Sequence, residues 1–433
     1  MSQPEGTRAN PPGAGSADAS GIASFTTWAQ HIHWDREIRQ LDDDAYSHLS
    51  HVKRLRELVQ KRFIVPAWLA NMESPQYDPY RERMECYRKY LRSLSRGVSS
   101  ARYIKEKETD NHRLSFEVEE CLPLILHIRH HATSLESHSL DLEPMETDRR
   151  HPVDTLASLV WDFQSNIAVI YRTERKLQVP RPSADHPSYT KPDACALIPI
   201  PGGPGALFAL PDLKPSLSCF PRFGSAPPNC NYVPHWVTEF KRHHSEQASK
   251  RQVVKGLVSA LYQRRALGFP NHLVFGTAHH TRTVLEVLAA TWVPSDEPVN
   301  PGAHSAEESN TKSAVPPVGQ VNDPSGNSSR GGDAVGGESG AGKTVADAHT
   351  NLKIKDIKKH NKVVVYTIAT YAMSNILDLL ELYLLMRRAR DDYPGSIYDS
   401  EELDSLSDAG PTRTIAGEVG GYTLKNYAYE GDA

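Results

Sequence analysis

At 433 residues, 39% hydrophobic and 24% charged, the chain is long enough for two or three domains and apolar enough to bury a sizeable core. Its net charge of −4 supplies no global field toward nucleic acid or anionic membrane, so polyanion binding needs a local basic surface. Cys86, Cys121, Cys195, Cys219 and Cys230 form no C-x-x-C pair, which argues against a thiolate zinc site and for reduced thiols.

The 31 prolines and 27 glycines predict ordered blocks separated by disordered ones. Residues 1–24 are rich in Gly, Ala, Ser and Pro and read as disordered. They lack the basic start and apolar stretch of a secretory signal, so the protein is expected inside the cell, nuclear or cytoplasmic, and not secreted. Residues 25–145 read as a helical N-terminal region. Trp28, Ile32, Ile38 and Leu41 fall roughly on one stripe, and Val52, Leu55, Leu58 and Val59 continue the habit. His127, His130, His131 and His138 lack carboxylate partners at helical ligand spacing and read as surface or core histidines.

A second block opens at Pro152, a good first-turn residue, and Leu156, Leu159, Val160, Phe163, Ile167 and Ile170 mark one face of an amphipathic helix. Residues 193–200 form a short β-type run, 201–233 an irregular insertion, and 232–241 an aromatic, β-branched strand. Helical periodicity returns over 246–267, with Val253, Leu257, Ala260 and Leu261 inward and Gly268 as the stop. Residues 272–278 are another strand, and 283–293 either pair with it as a hairpin or form a short helix. The segment 296–350 is low-complexity and expected to be disordered, and 391–433 is expected to be a flexible acidic tail. The apolar run 363–386 approaches membrane-spanning length, but Asn375, Asp378 and Glu381 are costly in a bilayer. It therefore reads as a buried strand followed by a helix over 375–390, with no membrane partner.

One constellation carries chemistry. In a strand, Glu239 and Lys241 project to the same face, and Asp193 on an adjacent strand would bring two carboxylates and an ammonium together. Hard oxygen donors suit Mg²⁺ or Mn²⁺, which can activate water and polarise a phosphoryl oxygen beside the lysine. Glu174/Lys176, Asp212/Lys214 and Asp356/Lys358 share the spacing without the strand setting. A strand-edge salt bridge with no metal stays open as the plain alternative.

Lys191-Pro192-Asp193 followed by Thr238-Glu239-Phe240-Lys241 resembles the PD-(D/E)XK nuclease superfamily. The likeness is greatest to divergent nuclease-like domains of fungal proteins, some of which stand beside fungal-type protein kinase domains. Gln263-Arg264-Arg265 and then Leu273-Val274-Phe275-Gly276 fit the same group, over 150–295 completed by 362–390. The resemblance implies an α/β fold with a restriction-endonuclease-like core, a mixed central sheet flanked by helices. It also implies Asp193 and Glu239 as ligands of Mg (or Mn), Lys241 as the catalytic lysine, and Asp162 as an added acid from the first core helix. The implied activity is Mg-dependent hydrolysis of phosphodiester bonds in DNA or RNA. Two departures are the long gap between Asp193 and Glu239, which needs the 201–233 insertion, and the lack of a following kinase domain.

Lys241, Arg242, Lys250, Arg251, Lys255, Arg264 and Arg265 either neutralise phosphates or form a solvated helix face. A second basic run, 353–362, reads as a solvated entry to the next strand in preference to a phosphate contact or a nuclear import signal. Residues 337–344 match G-x-x-x-x-G-K-[ST], yet no strand leads into them, which phosphate cradling requires. Two further functions therefore accompany the nuclease: a catalytically inactive nuclease-fold module for interaction or nucleic-acid binding, and a nucleotide-binding protein using Lys343.

Overall fold

The computed structural model describes residues 25–199, 219–220, 232–240, 246–266, 271–294 and 360–398, with short gaps at 43, 83–84, 138–144, 166–168, 181–185 and 282. The loop 337–344, the greater part of the 201–233 insertion, the 296–350 segment and Lys241 itself lie outside them.

The β-branched and aromatic runs become a mixed, seven-stranded sheet. Its strands are β1 (Trp34–Gln40), β2 (Ile170–Thr173), β3 (Ala194–Pro199), β4 (Tyr232–Phe240), β5 (Val274–His280), β6 (Val284–Pro294) and β7 (His360–Ala372), in the spatial order β1-β7-β6-β5-β4-β3-β2. Neighbours are antiparallel except β1/β7 and β4/β5, which run parallel. A parallel pair needs a crossover, and the helix Glu246–Ala266 supplies it between β4 and β5.

Alternation along each strand sorts the side chains between two helical layers. Val237, Val274, Ala278, Leu288 and Val365 pack against Val253, Leu257 and Leu261 of the Glu246–Ala266 helix. Trp236, Phe240, Phe275, Val287 and Tyr366 face the opposite layer, with Leu126, Val153, Leu156, Leu380 and Leu384. That layer holds α1 (Ser50–Lys61), α2 (Glu85–Val98), α3 (His112–Ser137), α4 (Glu146–Ser158) and a final helix, Ile376–Tyr398; the crossover helix is therefore α5 and the final one α6.

Because the sheet is covered on both sides, the charged and polar groups between the layers depend on internal partners, as Glu117 and His235 show. Glu117, 4% exposed on α3, accepts from Arg390 at 3.0 Å and Arg113 at 2.9 Å, and also from Arg387. On β4, Nε2 of buried His235 donates to the Ala389 carbonyl, while Nδ1 accepts from Arg264, each at 3.0 Å. That arrangement holds the neutral imidazole; burial, reinforced by the Arg264 charge, lowers its pKa well below 6.5.

The sheet and α5 approach closely because two glycines clear the way. A Cβ on Gly276 would stand 2.6 Å from Val253 and 2.9 Å from the Val237 carbonyl oxygen, and one on Gly256 2.6 Å from Val237.

Several elements differ from their sequence expectation. Ile38 belongs to a strand, not a helical stripe: the helix over 25–31 stops, and His33 (φ 59°) and Arg36 (φ 67°) adopt left-handed backbone incompatible with its continuation. β1 then bulges and runs beside β7, so the N-terminal region contributes an edge strand to the sheet. Pro152 lies inside α4, which starts at Glu146, where the Met145 N–H donates to Asp148 Oδ2 at 2.7 Å. A π-helical turn, Leu159–Phe163, ends that helix, and Ile170 is already in β2. Residues 283–293 take the hairpin alternative, as β6. Helix α6 passes the expected end at 390 because Asp391 and Asp392 hold arginines: Arg113 at 3.2 Å, Arg54 at 2.9 Å. Among the described residues no helix is long and apolar enough to cross a membrane.

Two outcomes are expected. Gly276→Ala lowers unfolding stability by about 2 kcal/mol in urea denaturation, since the backbone oxygen it meets cannot step aside. The unfolded state binds the proton that folded His235 refuses, so its contribution is complete above 6.5 and is lost as pH falls below it. His235→Gln keeps a donor and an acceptor, and should flatten the loss of stability below that pH by up to about 1.4 kcal/mol per unit.

Candidate functional site

The antiparallel register Ala194↔Thr238 sets Asp193, just before β3, beside Glu239 near the end of β4. Their side chains join different surroundings. Asp193 Oδ2 accepts the Phe240 N–H at 2.7 Å, and Oδ1 lies 3.3 Å from Arg150 on α4. Arg150 also donates to the Asp193 carbonyl at 2.5 Å and to Asp154 Oδ2 at 2.7 Å, and its guanidinium sits 5.9 Å from the Phe240 ring centre. Asp154 accepts in turn from the buried Tyr171 hydroxyl at 2.6 Å. Burial pushes the Asp154 carboxyl up from its ordinary pKa, against the hydrogen bonds of Tyr171 and Arg150.

Glu239 is 1% exposed. Val237, two residues before it, packs in the α5 layer, so the strand period turns Glu239 toward α5. Its charge favours the ammonium of Lys255 on that helix, whose pKa burial and then Arg251 nevertheless lower. Lys241 is outside the described residues, so Asp193 and Glu239 are the two members of the expected triad whose placement can be stated. An ion shared between them needs available carboxylate oxygens in one pocket. With an N–H donor at each Asp193 oxygen, a guanidinium beside it and Glu239 on the α5 side, the two carboxylates in this arrangement do not fit such an ion. Asp162 is likewise engaged: Oδ1 accepts the Tyr171 N–H at 2.6 Å and Oδ2 the Ser158 hydroxyl at 3.1 Å. The helix acid that reaches the Asp193 network is Asp154, four residues from Arg150, a spacing that sequence reasoning passed over.

A second group lies where α5 begins. Glu246, His280 and Glu286 offer ligand atoms within 4.8 Å of one another, the one such group of three or more among the described residues. His280 ends β5 and Glu286 sits on β6, both in the face that α5 covers, while Glu246 opens α5 itself. Lys250 Nζ bridges Glu246 at 2.5 Å and Glu286 at 2.7 Å. Burial, the largest single influence, works to lower the Lys250 pKa, yet the hydrogen bonds and charges of Glu246 and Glu286 together raise it. The Thr367 hydroxyl donates to Glu286 Oε1 at 2.7 Å, and His280 Nε2 lies 3.2 Å from Oε2. The sequence hid this group because its members are neither at motif spacing nor in one element.

The basic residues after the motif are largely consumed internally. Arg264 and Arg265 are 1% and 2% exposed; Arg264 donates to the Leu273 and Pro234 carbonyls, and Arg265 lies over the Trp292 ring. Arg251 and Lys255 stand over Phe25, and Lys250 is held by its two glutamates. No protein-family model, curated protein or solved structure matches the chain.

Removing Arg150 strands two carboxylates that are 18% and 16% exposed. Arg150→Met should cost about 3 kcal/mol in urea denaturation, with part of the loss restored by adding Asp193→Asn.

Proposed function

We propose that the chain carries a restriction-endonuclease-like domain of the PD-(D/E)XK kind that serves as an interaction or nucleic-acid-binding module and does not hydrolyse phosphodiesters through Asp193 and Glu239. The succession α4, β2, β3, β4, α5, β5 supports the fold: an antiparallel meander, then a helix crossing to a strand parallel to β4. The contact of Arg150 with Asp193 carries the loss of chemistry. A guanidinium beside this carboxylate supplies the positive charge that a divalent ion would otherwise bring, and it repels that ion.

Hydrolysis is the second reading, favoured by the β3/β4 register that sets Asp193 beside Glu239 at one end of the sheet. It requires Arg150 to release Asp193, with Lys241 completing the triad.

Plasmid and single-stranded DNA and RNA are incubated with the full chain plus Mg²⁺ or Mn²⁺, and binding is followed by fluorescence anisotropy. The expected result is intact substrate, with any binding salt-sensitive. Metal-dependent cleavage that Lys241→Ala abolishes would establish the nuclease instead, and absence of both binding and cleavage would remove nucleic acid from the proposal.

A further inference from the structure

We propose that Glu246, His280 and Glu286 form a binding site for a divalent transition ion such as Zn²⁺ or Mn²⁺, in which the Lys250 ammonium is the resident cation that the metal displaces. This site does not rest on the nuclease reading and contains none of Asp193, Glu239 and Lys241.

The donor set decides the class of ion. Two carboxylates and one imidazole suit Zn²⁺ and Mn²⁺, whereas Mg²⁺ prefers oxygen donors and retained water. The geometry is nearly assembled, since the three ligand atoms already lie within 4.8 Å of one another. Two of the three come from adjacent strands of a β-hairpin and are fixed by the sheet: the His280 and Glu286 side chains are each 7% exposed. Only Glu246, at 52%, is free to swing, and it lies on the solvent side, where an ion would enter.

Outer contacts hold the fixed ligands in place. Thr367 occupies Oε1 of Glu286, leaving Oε2, which now faces both Lys250 and His280, as the inward oxygen. Thr281 Oγ1 lies 3.3 Å from His280 Nδ1 and can accept a hydrogen bond from Nδ1–H, the tautomer that leaves Nε2 free to ligate. Lys250 marks the position of the charge. Its Nζ stands between the two glutamates at distances of a charge-assisted pair, so a unit positive charge is already stable there. A doubly charged ion bound also by His280 replaces it, and the flexible lysine stem lets the ammonium leave toward water.

The sign of the Lys250 effect separates this site from a structural ion pair. Zn²⁺ and Mn²⁺ are titrated into the full chain by calorimetry, with circular dichroism as the check on folding. One ion per chain should bind, more tightly to Lys250→Met than to the native protein by at least about tenfold, because a like charge has been removed. Glu246→Gln, a change at an exposed position that leaves the fold intact, and His280→Ala should each weaken binding by about tenfold or more. Metal should also restore thermal stability lost by Lys250→Met. Binding that Glu246→Gln and His280→Ala leave unchanged, or Lys250→Met binding no better than the native chain, overturns the proposal.

Discussion

A charge that enters the space between the sheet and its two helical layers must be met there by a counter-charge, by hydrogen-bond acceptors or by an aromatic face. β4 makes the constraint acute, because from Val233 to Phe240 every residue is buried. Ionised groups cost several kcal/mol to desolvate and survive only when paired and hydrogen-bonded. Asp193 with Arg150, Glu286 with Lys250, and Glu117 with Arg387 and Arg390 are separate solutions of the same problem. His235 solves it by giving up its charge.

This constraint explains why the chemistry was less legible in the sequence than the fold. The α/β class, the central strands and α5 follow from local patterns: consecutive β-branched residues in Val363-Val364-Val365, and the inward spacing of Val253, Leu257 and Leu261. Pattern failed where tertiary structure overrode it. The apolar positions of Trp34–Gln40 fit a helical stripe as well as a strand, and only the open edge of β7 distinguishes them. The start of α6 is legible, but its C-terminal end reads too early, at 390, because Asp391 and Asp392 look like an acidic tail until their arginine partners are seen.

The candidate site shows the same division. Register put Asp193 and Glu239 side by side, as the strand order suggested, but no spacing in the sequence announced that Arg150 would reach Asp193. Arg264 and Arg265 read as phosphate contacts or as part of a solvated helix face because a basic pair at a helix end resembles a surface; their partners are the Leu273 and Pro234 carbonyls and the Trp292 ring. Glu246, His280 and Glu286 come from three elements and converge only once α5 has crossed the sheet.

The pairing of β1 with β7 has a bearing on how the chain is made. Trp34 emerges from the ribosome long before its partner Val363, so the first strand must stay unpaired through most of synthesis. Until it docks, the outer rim of β7 offers open N–H and C=O groups to any passing strand. A truncation that removes residues through Gln40 would leave that rim bare for good, turning a sheet margin into a template for self-association.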